Sequence, residues 1–192
     1  MFYHLIMNTG CNLHCSYCDR DDFSAPDEEL YNYQLPPRID YPLEKLNTFV
    51  KEEDYLTFYG GEPLLSYPQM EIIMDSVKCK GFMIQTNGTL LHKIKPEYAR
   101  RLHTVLVSLD GDEQSTDINR GKGVQKKVLE NVKLLKKNGF QGELIARMTI
   151  TKGSSLKKQV LWLLENGFPN IHWQLDVLFY SDQDYSWLDA YN

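Results

Sequence analysis

Three cysteines near the amino terminus are the residues best placed to do chemistry. Cys11, Cys15 and Cys18 have the spacing C-x3-C-x2-C and directly follow an apolar run at residues 2–7. Thiolates held this close together on one loop can bind a single inorganic centre, and iron–sulfur clusters are held by cysteine loops of this kind. Three ligands leave one metal position open for a substrate or cofactor, so the pattern favours a reactive centre over a structural one.

Two other uses of these cysteines remain open. One is a zinc ion bound by the three thiolates together with His4 or His14. The other is a set of structural cysteines with no metal. We expect a cytoplasmic, reducing setting, in which thiolates stay available to a metal.

Composition limits the classes of protein to consider. The chain has 192 residues, of which 42% are hydrophobic and 24% are charged, enough for one domain with a substantial core. The net charge of −5 and the lack of a basic stripe give no support to nucleic-acid binding. No apolar run approaches the roughly 20 residues that a membrane-spanning helix needs. We therefore expect a single domain over residues 1–192, interrupted by a long polar loop at residues 19–41.

Strand and helix signals alternate along the whole chain. The predicted strands are residues 2–7, 55–59, 81–86, 104–109, 144–150 and 171–176, with helical patterns between them. Short strands joined by helical crossovers predict a parallel sheet with helices outside. The predicted fold is therefore α/β, a partial (β/α)6 TIM-like barrel of parallel strands that is open on one side. Its chemistry should lie at the carboxyl ends of the strands.

Polar residues recur at alternate positions of four predicted strands. Because alternate side chains of a strand share a face, these residues predict a polar lumen that holds a ligand. The alternative is that they are strand-end residues that meet water. The set comprises Gln85, Asn87, Ser108, Asp110, Arg147, Thr149, His172, Gln174 and Asp176.

The cysteine motif resembles the signature of the radical S-adenosylmethionine (radical SAM) superfamily. In that family an aromatic residue precedes the last cysteine, and Tyr17 takes this place. The resemblance implies a [4Fe-4S] cluster on Cys11, Cys15 and Cys18, with S-adenosylmethionine (AdoMet) chelating the fourth iron through its amine and carboxylate.

A second motif, Gly60-Gly61-Glu62-Pro63, ends the predicted second strand. Two glycines allow the backbone to approach a ligand closely. The segment resembles the GGEP motif of the same family, which implies hydrogen bonds to the methionyl amine of AdoMet. An ordinary turn is the alternative.

Further AdoMet contacts are implied on later strands. Ser108 and Asp110 form an S-x-D-G element similar to one near the AdoMet ribose, so Ser108 would bond a ribose hydroxyl. Asp110 would brace the loop or face the substrate, with a simple turn as the alternative. Gln85 and Asn87 belong to a segment that resembles the family's T-N-G-x-x-L element, and Asn87 could serve only in the turn.

Arg147 matches a family position at which a basic side chain pairs with the methionyl carboxylate. The alternative is a structural pair with Glu62 or Asp110. Gln174 on the last strand is a further candidate for cofactor binding. Arg120 belongs to a stretch that resembles H-D-x-x-R, although Thr116 replaces the histidine, and it would contact substrate or a loop.

The resemblance is closest to the peptide- and protein-modifying branch that includes anaerobic sulfatase-maturating enzymes. It implies a radical SAM oxidoreductase that cleaves AdoMet to a 5′-deoxyadenosyl radical and abstracts hydrogen from a peptide or protein. An electron donor such as flavodoxin or ferredoxin, and anaerobic conditions, are implied as well. Members of that branch carry a cysteine-rich SPASM or twitch extension, whereas no cysteine follows Cys79 here. We therefore expect residues 177–192 to begin a truncated C-terminal segment, with a genuinely minimal enzyme as the alternative.

Three other functions remain open. Two of them are enzymatic, namely a glycyl-radical activase and a radical SAM enzyme that acts on a small molecule. The third is a non-catalytic module that binds zinc or a cluster.

Overall fold

A computed structural model describes residues 1–18, 39 and 42–176. Within these residues the chain forms six β-strands, six α-helices and three short 3-10 helices. The strands are β1 (Phe2–Asn8), β2 (Tyr55–Gly60), β3 (Gly81–Thr86), β4 (Leu102–Ser108), β5 (Glu143–Ile150) and β6 (Asn170–Leu175). The α-helices are α1 (Leu46–Phe49), α2 (Tyr67–Ser76), α3 (Pro96–Ala99), α4 (Glu113–Arg120), α5 (Val124–Lys137) and α6 (Leu156–Glu165), and the 3-10 helices are Leu43–Lys45, Pro63–Ser66 and Leu91–Lys93.

The predicted polar loop at residues 19–41 falls almost wholly outside the described residues, as does the C-terminal segment at residues 177–192. In the part of the chain that is described, no helix is long and apolar enough to cross a membrane. Among the described helices the longest, α5, has 14 residues.

The six strands form one parallel sheet in the order β1-β2-β3-β4-β5-β6. A helix lies in every connection between neighbouring strands, as parallel pairing requires. Within the described residues β1 and β6 do not pair, so the sheet is a partial barrel that is not closed. The predicted α/β fold is confirmed.

Apolar side chains of the strands cover one face of the sheet. Phe58, Ile84, Val107 and Met148 are fully buried there. The amphipathic helix α5 places Val128 and other apolar side chains in the same core, which explains its regular apolar spacing.

The other face of the sheet carries the predicted polar residues. Ser108 on β4 pairs in register with Arg147 on β5, which pairs with His172 on β6. Neighbours in register lie on the same face, so these side chains line one surface. Ser108 and Arg147 are half-buried, whereas His172 is exposed on the last strand of the sheet. Ser108, Arg147 and His172 therefore share one face, as the alternation of polar residues predicted, and a ligand bound there stays a prediction.

The observed bounds of β4 and β6 differ from the predicted ones by one or two residues. β4 begins at Leu102 and ends at Ser108, and β6 ends at Leu175, so Asp110 and Asp176 lie just beyond their strands. Leu102 is drawn into the sheet because it pairs with Phe82 of β3, a long-range contact that local sequence does not reveal.

Candidate functional site

The loop that carries the three cysteines leaves β1 at the carboxyl edge of the sheet. The N–H of Cys18 donates to the carbonyl of Cys15 over 3.0 Å, so the last two cysteines sit on one turn. None of the three cysteines forms a disulfide; Cys11 and Cys15 are half-buried and Cys18 is exposed. We call residues 9–18 the Cys loop.

The pKa of the Cys15 thiol depends on its burial and on the charged groups around it. Burial raises the pKa of the Cys15 thiol above its usual value, and charges on Cys18 and Cys11 would raise it further. The nearby guanidinium of Arg120 acts in the opposite direction. Because a ligand must be a thiolate, metal binding at Cys15 has to displace a proton.

The two glycines at the end of β2, Gly60 and Gly61, leave room for the end of β1 and the Cys loop, which lie directly against them. A Cβ on Gly61 would stand 2.0 Å from the carbonyl oxygen of Gly10, and one on Gly60 would stand 2.3 Å from that of Asn8. The N–H of Gly61 donates to Asn8 over 2.9 Å, and that of Glu62 donates to Gly10 over 2.7 Å. The GGEP segment therefore supports the Cys loop through backbone contacts.

The side chain of Glu62 is completely buried and joins β2 to β3. It accepts hydrogen bonds from the hydroxyl of Thr86 (2.8 Å) and from the backbone N–H groups of Asn87 (2.7 Å) and Leu64 (3.0 Å). Burial raises the pKa of Glu62 and these three donors lower it, and the effect of burial is the larger, so the net shift is upward. Both carboxylate oxygens are thus engaged within the protein.

Asn87 connects the end of β3 to the Cys loop. Its Nδ2 donates to Oδ1 of Asn12 over 2.8 Å and lies 3.6 Å from Sγ of Cys11. Asn12 in turn donates to the hydroxyl of Thr89 over 2.9 Å. We call Glu62, Asn87, Asn12 and Thr89 the Glu62 clamp, because they hold the loop on the Cys11 side.

Asn131 of α5 supports the Glu62 clamp, and this residue was not predicted from the sequence. Its buried Nδ2 donates to the carbonyls of Gly88 (3.0 Å) and Thr89 (2.8 Å). The available signal was a polar residue at an otherwise apolar position of α5, next to Val132 and one turn after Val128.

Asp110 holds the other side of the Cys loop. Its carboxylate forms a two-point ion pair with Arg120, in which Nε and Nη2 each lie 2.9 Å from an oxygen. The hydroxyl of Tyr17 donates to Asp110 over 2.7 Å, and the backbone N–H of Thr149 donates over 3.0 Å. Asp110 is 2% exposed. Asp110, Arg120 and Tyr17 form what we call the Asp110 clamp.

The charges of this clamp are stabilised by one another. Burial alone lowers the pKa of Arg120, but Asp110 and Tyr17 outweigh it, so the net shift is upward and the guanidinium stays charged. Burial is the main cause of the raised pKa of Tyr17, which keeps its hydroxyl protonated as a donor. Arg120 was predicted to contact either substrate or a loop, and the structure shows the contact with a loop.

Arg147 has a different partner from the alternatives that the sequence left open. Its Nη2 donates to Oε1 of Gln174 over 2.8 Å, and among the described residues it forms no salt bridge. The alternative pairing with Glu62 or Asp110 is wrong, because those carboxylates are occupied by other donors. Gln85 and Ser108 lie half-buried on the same face and make no side-chain hydrogen bond within the described part of the chain.

The donor set fits a multi-iron cluster better than a zinc ion. A tetrahedral zinc ion needs all its ligands about 2.0–2.3 Å from one point. Among residues 1–18, 39 and 42–176 no three His, Cys, Asp or Glu side chains converge in this way. In a cluster each thiolate binds a different iron, so the sulfur atoms need not meet at one point. His4, one of the proposed zinc ligands, lies within β1 with its ring 5.6 Å from that of Tyr59.

The fold is thus an open parallel α/β barrel with three cysteines, none in a disulfide, on a loop at its carboxyl edge. Residues 5–161 match the model of the radical SAM superfamily, and the chain belongs to that family. Membership implies a [4Fe-4S] cluster, AdoMet and radical chemistry of the oxidoreductase type.

Two curated proteins show this relationship in sequence. The radical SAM cyclopropyl synthase TigE of Paramaledivibacter caminithermalis is 27% identical over 152 residues, which are 70% of this chain and 32% of TigE. A probable GTP 3′,8-cyclase of Archaeoglobus fulgidus is 35% identical over 101 residues, which are 52% of this chain and 32% of the cyclase. The chain thus spans about a third of each of these relatives.

Solved structures show the same fold. Native anSMEcpe with bound AdoMet superposes with a TM-score of 0.73 at 22% identity, over 97% of this chain and 55% of that one. SuiB of Streptococcus suis bound to its precursor peptide SuiA gives a TM-score of 0.58 at 15% identity, over 92% of this chain and 39% of SuiB. The described part of the chain therefore has the partial-barrel fold of these proteins.

Proposed function

We propose that this chain is the core domain of a radical SAM enzyme that modifies a peptide or protein. In this proposal Cys11, Cys15 and Cys18 hold the [4Fe-4S] cluster. When bound, the cluster supplies one electron to AdoMet, whose sulfonium C–S bond breaks to give methionine and a 5′-deoxyadenosyl radical for hydrogen abstraction. The observation that carries the proposal is a loop of three cysteines, none in a disulfide, held from both sides by the Glu62 and Asp110 clamps.

The polar face of the sheet is the proposed AdoMet site. Arg147 supports this assignment, because a half-buried guanidinium whose described partner is a neutral amide favours a carboxylate ligand. We assign the methionyl carboxylate to Arg147 and a ribose hydroxyl to Ser108. The backbone of Gly60–Pro63 is assigned to the methionyl amine, with Pro63 ending the segment. Gln85, Asn87 and Gln174 complete the proposed contacts, and Tyr17 and Asp110 border them.

The work of the chain itself is to bind, orient and shield these groups. The Glu62 clamp sets the position of Cys11 relative to the end of β3. The Asp110 clamp sets the positions of Cys15 and Tyr17 relative to the end of β4. The hydrophobic core packs against the other face of the same strands. Such fixed positioning is what makes an oriented radical reaction selective.

A peptide substrate is favoured by the structures that match most of this chain. anSMEcpe has been solved with bound Cp18Cys peptide, and SuiB with SuiA. The partial identity to a probable GTP 3′,8-cyclase favours a small-molecule substrate as the second candidate. An electron donor such as flavodoxin or ferredoxin is the proposed partner, and an anaerobic cytoplasm is the proposed setting.

The test is anaerobic reconstitution of the chain with iron and sulfide. We expect about four irons per chain and formation of 5′-deoxyadenosine when AdoMet and a reductant are added. Cys15→Ala should abolish both. Cys79→Ala is the matched control, because Cys79 lies half-buried before β3, at the opposite end of the sheet. A protein that binds zinc without iron, or undiminished 5′-deoxyadenosine from Cys15→Ala, would refute the proposal.

A further inference from the structure

The ion pair between Asp110 and Arg120 is buried where the Cys loop meets β4 and α4. The Arg120 side chain is 6% exposed and that of Asp110 is 1% exposed. Buried ion pairs lose much of their attraction to the cost of removing two charges from water, and apolar replacements are often as stable. Stability of the fold alone therefore does not account for a charged pair at this place.

The pair is fixed in orientation by its neighbours. Oδ1 of Asp110 accepts from Arg120 Nη2 and from the N–H of Thr149, and Oδ2 accepts from Arg120 Nε and the hydroxyl of Tyr17. Four donors leave the carboxylate no freedom to turn. The guanidinium it holds has a single position relative to β4 and β5.

That position lies against the segment between the second and third cysteines. The central carbon of the Arg120 guanidinium is 5.3 Å from the ring centroid of Tyr17. The adjacent carbonyl of Asn119 accepts from the N–H of Ser16 over 2.8 Å, and its side-chain oxygen accepts from the Ser16 hydroxyl over 3.2 Å. Residues 119–120 thus contact residues 16–17, which join Cys15 to Cys18.

We propose that Arg120 is a positioning residue that orders residues 16–17 of the Cys loop and raises the reduction potential of a cluster held there. The inference rests on the proposed cluster-binding function. A positive charge beside a redox centre stabilises the form with one more electron, and charge near a cluster is one determinant of its potential. Because the guanidinium is buried, salt and water screen it weakly.

The charges of the two partners predict shifts of opposite sign. Removing the cation should make the cluster harder to reduce, whereas removing the anion and keeping the cation should make it easier to reduce. A purely structural pair would behave differently, since losing either partner would loosen the same loop and move the potential in the same direction. The sign of the shift therefore separates the two roles.

The experiment compares the reconstituted full chain with Arg120→Gln and Asp110→Asn, in the absence of AdoMet. The midpoint potential is measured by mediated titration, and reduced cluster is followed by electron paramagnetic resonance. We expect Arg120→Gln to lower the equilibrium constant for reduction about tenfold, as for one charge near a partly buried centre. We expect Asp110→Asn to raise it. Arg101→Gln, which removes a cation from an exposed pair with Asp75 near the start of β4, should leave it unchanged.

Arg120→Lys tests charge separately from geometry. Lysine keeps the positive charge but cannot form the two-point contact. Its potential should stay close to that of the wild type, while iron is lost faster on dilution. If Arg120→Gln retains no iron, the Lys and Asn variants decide, and a potential in Asp110→Asn equal to or below that of the wild type overturns the inference.

Shifts of equal sign in Arg120→Gln and Asp110→Asn, or no shift in either, also overturn it. Either result leaves the proposed function standing, because the wild-type chain would still bind a cluster. If the proposed function were wrong, the wild-type chain itself would bind none.

Discussion

Glu62 and Asn87 join the ends of two neighbouring strands through a buried hydrogen bond. The carboxylate of Glu62, at the end of β2, accepts from the backbone N–H of Asn87 after β3 over 2.7 Å. The side chain of Asn87 then approaches Sγ of Cys11 at 3.6 Å. The buried carboxylate of Glu62 is therefore linked to Cys11, the first cysteine of the Cys loop, through one intervening residue, Asn87.

Replacing Glu62 by glutamine should destabilise the fold by about 1–3 kcal/mol, the cost of leaving a buried donor without a partner. Every group that Glu62 contacts is a donor, and the amide NH2 of glutamine would face one of them. Urea unfolding of the cluster-free protein measures this free energy. Glu71→Gln is the control, because Glu71 is only partly buried and pairs with the exposed Lys95. Equal effects of the two substitutions would contradict the assigned role of Glu62.

Gly61→Ala should displace the Cys loop and reduce iron binding. Its Cβ would stand 2.0 Å from the carbonyl oxygen of Gly10, a backbone atom that cannot move without shifting the loop. Gly10→Ala is a matched control on the facing segment, because the nearest atom to its Cβ is Asn8 Oδ1 at 3.8 Å. Iron per chain after reconstitution is the measurement. Equal iron in both variants would show that the close approach does not matter.

Arg147→Met should weaken AdoMet binding about tenfold or more, the effect of losing a charge-assisted hydrogen bond. The free energy of unfolding should change by less than about 0.5 kcal/mol, since Arg147 is half-buried and loses only its bond to Gln174. Titration calorimetry of the reconstituted protein measures the affinity. Lys126→Met, on the exposed side of α5, controls for loss of a positive charge. An unchanged affinity would remove Arg147 from the proposed site.

Asp112 should make stability depend on acid pH. It caps α4 by accepting from the N–H of Ser115 and pairs with Lys158 at 2.7 Å. Burial opposes the shift, but the contacts with Lys158 and Ser115 lower the pKa of Asp112 to about 2. An unfolded aspartate has a pKa of about 3.9, so this contribution is present above about pH 4 and is lost as the pH falls through about 2.

The measurement is the urea midpoint of wild type and Asp112→Asn between pH 2 and pH 7. Asparagine keeps the cap but not the charge. The wild type should be the more stable above about pH 5, and the difference should close towards pH 2. A difference that is constant with pH would contradict the assignment.

Much of the fold could be predicted from local patterns. All six strands were placed within two residues of their observed bounds, and β3 was placed at its observed limits, residues 81–86. The partners of the polar side chains could not be predicted in the same way. Asn131 bonds residues more than 40 positions away, and Arg147 bonds Gln174 instead of Glu62 or Asp110. Such contacts depend on strand register and helix orientation, which no short window of sequence contains.

The sequence by itself determined the kind of fold and, through its resemblance to a family, predicted the kind of centre. Alternating apolar patterns specify strands and helices, and helical crossovers allow only parallel pairing, so the Cys loop had to emerge at the carboxyl edge of the sheet. Only the tertiary structure decided how that loop is held. The buried positions of Glu62 and of the Asp110–Arg120 pair arise where strand ends meet across the sheet, and buried polar groups take whichever partners that packing brings within hydrogen-bond distance.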